Sequence, residues 1–221
     1  MKKQILLFLS IAVSALAIAQ SKPSFGIRAG ASSYSMKGDA ISNLNNLLDY
    51  TNGYVTTSGH TGFFAGVNAS IPVSDLVWIE PGIYYTQKGY EMNGQLNLKG
   101  ADFLGANAKA KLTSHYVDVP LLLKLNFNGL QLFAGPQVSY LAKADLKTTA
   151  GVLGFNLLNK TMDATNQFNR WDAGVTGGVG YQFSNGVNIS ASYDHGLSKV
   201  DANQNLDSYN RGFKVGLGIN F

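Results

Sequence analysis

The C-terminal segment constrains the fold of this chain most. Phe213, Val215, Leu217, Ile219 and Phe221 alternate with Gly212, Lys214, Gly216, Gly218 and Asn220. A strand puts these two sets on opposite faces, whereas a helix scatters them around its axis. The same period recurs along nearly the whole chain. It predicts eight strands, near Ser24–Tyr34, Thr61–Ile71, Leu76–Tyr90, Lys111–Phe127, Leu130–Lys143, Arg170–Phe183, Val187–Leu197 and Tyr209–Phe221. Several exceed the roughly 9–11 residues that a tilted strand needs to cross a hydrocarbon core. A soluble strand is usually about half that long.

The connections alternate as well. Pro72-Val73-Ser74-Asp75, Asn128-Gly129 and Ser184-Asn185-Gly186 are short. Asn-Gly suits a tight hairpin because both positions take positive φ. The stretches Ser35–His60, Glu91–Ala110, Ala144–Asn169 and Ser198–Ser208 read as long loops. Within the first of them, Ile41–Leu48 could form a short amphipathic helix or a contact surface. Short turns at one end and long loops at the other predict an all-β, eight-stranded antiparallel up-and-down transmembrane barrel, with the turns periplasmic and the loops extracellular. Closure satisfies every backbone group in lipid and removes the sheet edges.

Parity then divides the side chains. One face carries Phe63, Val67, Ile83, Val117, Val119, Leu121, Leu123, Val138, Val175, Val179 and Ile189. Tyr85, Tyr140, Trp171, Tyr193 and Tyr209 fall at its outer rim, and Phe25, Phe127, Phe183 and Phe221 at its periplasmic rim. Two aromatic girdles are what bilayer interfaces favour. The other face carries Arg28, Glu80, Lys88, Asp118, Lys124, Asp172, Asp194 and Lys214. Lipid would penalise these charges, so they should point inward. An eight-stranded barrel is just wide enough for side chains to fill. Four basic and four acidic groups therefore predict a paired, hydrogen-bonded plug rather than a diffusion pore.

The N-terminus reads as a secretory signal peptide over 1–19, cleaved before a barrel domain over 20–221. Lys2-Lys3 precede a short apolar run that ends in Ala17-Ile18-Ala19. The chain has no Cys, which excludes disulfides, thiol chemistry and a lipid-anchored cysteine. The formal charge is +4. Without Lys2 and Lys3 it falls to +2, too little to suggest nucleic acid.

No catalytic or metal site emerges, and no cofactor is expected. His60, His115 and His195 lack metal-ligand spacing. His195 and Asp194 are adjacent on one strand and face opposite ways. Gly177-Gly178 and Gly180 lie inside a strand with no following helix, which rules against a phosphate loop and favours relief of crowding. Pro81, Pro120 and Pro136 fall inside strands, where each removes a ladder bond, so bulges or kinks are expected there.

Five stretches resemble the PorT-like outer-membrane β-barrel proteins of Gram-negative bacteria. They are Glu80–Gly89, Tyr116–Lys124, Gly135–Tyr140, Asp172–Tyr181 and Tyr193–Leu197. The resemblance implies export to the cell outer membrane and insertion by the barrel-assembly machinery, which reads a terminal strand ending in an aromatic residue. It implies no catalytic residues, and one branch of the family takes part in protein secretion. The leading expectation is a non-enzymatic barrel in contact with outer-membrane lipids, whose loops serve structural or interaction roles. A secretion component with envelope partners and a narrow channel are the alternatives. A lipid-modifying enzyme at the rim and a soluble ligand-binding barrel are less favoured.

Overall fold

The computed structural model describes residues 23–38, 55–98, 101–152, 155–202 and 207–221. The stretches read as a signal peptide and as the Ile41–Leu48 helix or contact surface lie outside the described residues. Among the described residues there are nine strands: β1 (Ser24–Lys37), β2 (Val55–Pro72), β3 (Val77–Leu98), β4 (Ala101–Phe127), β5 (Leu130–Val152), β6 (Phe155–Asp163), β7 (Trp171–Gln182), β8 (Val187–Gly196) and β9 (Tyr209–Asn220).

Eight strands close a ring in the order β1, β2, β3, β4, β5, β7, β8, β9, and β9 pairs back onto β1. All pairings are antiparallel. The hydrogen-bonded row that starts at Ser33 runs through Phe213, Tyr193, Gly177, Ala134, Leu123, Ile79 and Ile71. Ile71 is one rung beyond the Ser24–Ser70 pair, so the circuit closes beside Pro23. It returns to β1 ten residues from its start, at 23 instead of 33. Such a stagger tilts the strands against the barrel axis and leaves a lumen of side-chain width.

The turns follow their residues. At Asn128-Gly129 both φ values are positive, 51° and 96°, as a two-residue hairpin requires. At Asn185-Gly186 only Gly186 is positive, at 85°, so this is a longer turn whose last residue is left-handed.

Two expectations are corrected. The prolines cause no slip: the β3–β4 register is the same on either side of Pro81, and β4–β5 on either side of Pro120. Pairs are missing beside the prolines, between Pro81 and Tyr84 on the β4 side, between Asn68 and Ile71 opposite Pro81 on the β2 side, and between Pro120 and Leu123 on the β5 side, while Pro136 stays in a continuous ladder with β7. Each gap spans two residue pairs, and the pairs on either side of it keep the same register. Irregularities lie instead at Gly59/Phe64, Leu96/Leu98, His115/Tyr116 and Ala150/Gly151.

The long connections also hold more strand than expected. Most of 91–110 continues β3 and β4, and much of 144–169 is the end of β5 followed by β6, which pairs with β5 outside the ring. These extensions mix Leu and Ala with Asn, Gly, Lys and Thr and keep no strict alternation of apolar and polar residues. Above a bilayer, polar cross-strand pairs and water satisfy a hairpin, so no apolar stripe marks it in the sequence.

Candidate functional site: a charged and capped lumen

Inward residues alternate with outward ones along every ring strand. The eight ionisable residues that parity places inward all lie inside the barrel, none more than 8% exposed. They fall into two groups.

Glu80 organises the first, near the tight-turn end. Arg28 donates from Nη1 to Glu80 Oε1 at 3.2 Å, Lys124 donates to Oε2, and Ser70 donates to the same oxygen at 3.0 Å. Arg28 Nε reaches Asn188 Oδ1 at 3.4 Å, which ties β1 and β3 to β8 across the lumen.

The second group sits nearer the long connections. Lys88 Nζ lies 3.0 Å from Asp118 Oδ1 and donates to Ser139 at 3.1 Å. It also stands 4.5 Å from the centre of the Tyr116 ring, within cation–π range. Lys214 bridges Asp194 at 2.7 Å and Asp118 at 3.8 Å. Tyr34 and Gln137 donate to Asp194, and Asn210 donates to Asp172 at 2.9 Å. The eight charges sum to zero, as a low-dielectric lumen demands.

The reading from charges alone missed the neutral members of this network. Tyr34, Ser70, Gln137, Ser139, Asn188 and Asn210 are buried and on the inward parity. Parity would have marked them had polar residues been followed with the charged ones.

An apolar cluster caps the charged zone toward the long connections. Met36, Leu112, Tyr116, Leu141, Ala144 and Val200 are buried together, with Tyr90, Leu146 and Phe168 packed against them. Phe168 and Val200 come from the connections, where Phe168 bridges Asp201. Two interior cavities measure about 30 and 10 Å³. They are of the order of single waters, not a passage.

The outside is the inverse of a soluble protein. Ile27, Val67, Ile83, Leu123, Val179 and Leu217 are 51–64% exposed. An apolar wall around a charged interior calls for lipid as the surrounding solvent. Tyr140 and Trp171 stack edge to face at 5.0 Å toward the long-connection end, and Tyr193 lies beside Phe213 at 4.8 Å. Tyr85 is half-buried against Phe63 and His115, and Tyr209 is half-buried opposite Lys37. Phe25, Phe127, Phe183 and Phe221 are exposed at the other end, where Phe183 stacks on Tyr181.

The histidines make no metal site: among the described residues no cluster of three or more His, Cys, Asp or Glu side chains could hold an ion. His115 sits on the outer wall between the Tyr85 hydroxyl, 2.6 Å from Nδ1, and Asp145, 3.5 Å from Nε2.

Beyond the apolar band, Glu91 is clamped by Lys109 at 2.8 Å and Lys111 at 3.0 Å. The hydrogen bond from Lys109, seconded by Lys111, holds its carboxyl down at about 2. A depressed folded value stabilises above the unfolded carboxyl range and is lost as pH falls through the folded one. The extended β3–β4 hairpin should therefore keep its protection at pH 4 and lose it toward pH 2. Amide exchange across 91–111 measures this, and Glu91→Gln should flatten the dependence.

No curated protein matches the chain. Neisserial surface protein A aligns at 12% identity over 91% of this chain and 100% of its own, with a TM-score of 0.47. Ail, the attachment invasion locus protein of Yersinia pestis, aligns at 16% identity over 91% and 100%, with a TM-score of 0.42. OprG of Pseudomonas aeruginosa aligns at 14% identity over 92% and 98%, with a TM-score of 0.40. The sequence itself matches one family across residues 18–202, most of its length. The chain belongs to the outer membrane protein beta-barrel domain family and is a protein of the bacterial outer membrane.

Proposed function

We propose that this protein is a non-enzymatic outer-membrane barrel with a sealed lumen, which acts through the strands and loops it raises outside the membrane. The observation that carries this reading is the double closure of the lumen. A neutral network of buried charges fills it, and the apolar cluster around Leu112 and Leu141 caps it. A conducting path would need connected polar space, and the interior cavities are water-sized. The tight turns share one rim with the start of β1 and the end of β9, where Phe25 and Phe221 pair, and we assign this rim to the periplasm; β6 and the extended β3–β4 hairpin then project outward.

Within the family we favour a PorT-like member. The five stretches that carry this resemblance supply Glu80, Lys88, Asp118, Lys124, Gln137, Ser139, Asp172 and Asp194, all in the lumen network. The likeness therefore speaks for a shared plug, and the partner, an envelope or secretion-system protein, is left to the exposed hairpins. Purified barrel in a planar lipid bilayer tests the sealed lumen. We expect no steady current across the bilayer; a stable ohmic open state would overturn the reading and favour a narrow channel.

A further inference from the structure

We propose that the outer wall of β1 and β9 carries a binding site for a lipid headgroup that bears an anionic phosphate with no cationic group attached. A groove of about 630 Å³ opens there, lined by Ser33, Ser35, Lys37, Tyr193, Arg211 and Phe213 among others. Its height on the barrel follows from the strands. Phe25 and Phe221 exchange backbone hydrogen bonds at the tight-turn rim. Arg211 pairs with Ser35, and each is ten residues along its strand from that rim. Ten residues span about 33 Å, or about 25 Å of height at a tilt near 40°, which is the height of the apolar band of an outer-membrane barrel.

The outward residues change character at that height. Phe25, Ile27, Ala29 and Ala31 on β1, and Ile219, Leu217, Val215 and Phe213 on β9, are all exposed and apolar. Ser33, opposite Phe213, brings the first hydroxyl, and the next outward rungs bring Ser35 with Arg211 and then Lys37 with Tyr209. A headgroup phosphate lies at this boundary, with its acyl chains below against the apolar wall.

The groove has an unmet demand for an anion. No carboxylate among the described residues lines it. Arg211 Nε is buried and has no hydrogen-bond acceptor among the described residues. A guanidinium stays charged and its N–H groups can only donate, in a fork that matches a phosphate. The other basic outer wall differs: Lys109 and Lys111 share the Glu91 carboxylate as partner, and Lys143 pairs with Asp145. Tyr193 and Phe213, 4.8 Å apart, supply the amphipathic side wall that a headgroup region favours. The gap in the β2–β3 ladder between Gly59 and Phe64 lies beside the groove, whose lining includes Gly59.

The test is native mass spectrometry of the detergent-solubilised barrel titrated with dihexanoyl phosphatidic acid, dihexanoyl phosphatidylcholine or inorganic phosphate. Phosphatidic acid should bind most tightly, and Arg211→Gln and Lys37→Gln should each weaken it roughly tenfold. Lys143→Gln should leave binding unchanged. Inorganic phosphate that binds as well as phosphatidic acid would make this a free-anion site and overturn the lipid assignment. Equal binding of both lipids, or no loss in either variant, would overturn the site itself. Lys37 is exposed, so Lys37→Gln keeps the test decisive if Arg211→Gln fails to fold. The assay reads a site on the wall in micelles, so its failure would leave the sealed-lumen reading standing.

Discussion

Replacing Glu80 with Ala should destabilise the barrel by about 3–5 kcal/mol, because it strands two buried cations at once. Glu80 is 1% exposed and takes hydrogen bonds from Arg28, Lys124 and Ser70. Once the carboxylate is gone, Lys124 is left at 1% exposure without its acid partner. The penalty comes from desolvated charge, so it should vanish if the charges leave together. Glu80→Leu combined with Arg28→Met and Lys124→Met should regain most of the lost stability, as buried ion clusters replaced by apolar groups of similar volume often do. Urea unfolding in vesicles, followed by the shift of the folded band on unheated gels, reads both variants. Equal loss in the single and triple variants would mean that Glu80 acts by packing and not by charge. The second group is fed by different residues, so Asp118→Ala should add its own loss to that of Glu80→Ala, within the scatter expected of separate networks.

The second large effect should come from Gly30→Val, with a loss of about 3 kcal/mol or more and failure of the barrel to close. Gly30 pairs with Gly216 at the seam where the first strand meets the last. A Cβ there would stand 2.0 Å from the Val215 carbonyl oxygen and 2.5 Å from Gly216 Cα. Both are backbone atoms held in the ladder, so relief requires β1 and β9 to part. Ala29 is the internal control: it is the adjacent residue, but it faces outward and is exposed. Ala29→Val should change stability by no more than about 0.5 kcal/mol. If both variants fold alike, the close approach at the seam is not what holds Gly30 in place.

These predictions depend unequally on sequence and structure. Parity is a local property, since every second side chain of a strand faces the same way whatever pairs with it. That is why the exposed wall of Ile27, Val67 and Leu217, the inward placement of Glu80 and Lys88, and the Asn128-Gly129 turn were legible from the chain alone. The number of alternating segments also gave the number of ring strands. Where the apolar stripe ended, legibility ended too. The upper parts of β3, β4 and β5 and the whole of β6 stand clear of the apolar band, so polar residues suffice there and mimic loops.

The amino-acid sequence by itself determined which face of each strand meets lipid, which charges turn inward and where the chain reverses tightly. Only the tertiary structure decided who meets whom. Glu80 finds Arg28 and Lys124 because the registers of β1, β3 and β4, and the ten-residue stagger that tilts every strand, bring those three rungs to one level. The same stagger places Phe168 and Val200 over the lumen as part of its cap, and sets Arg211 beside Ser35 at the edge of the bilayer. Stagger belongs to the closed ring as a whole, and no single strand encodes it. The alternation at the C-terminus therefore names a wall, while the closure of that wall on itself makes the plug.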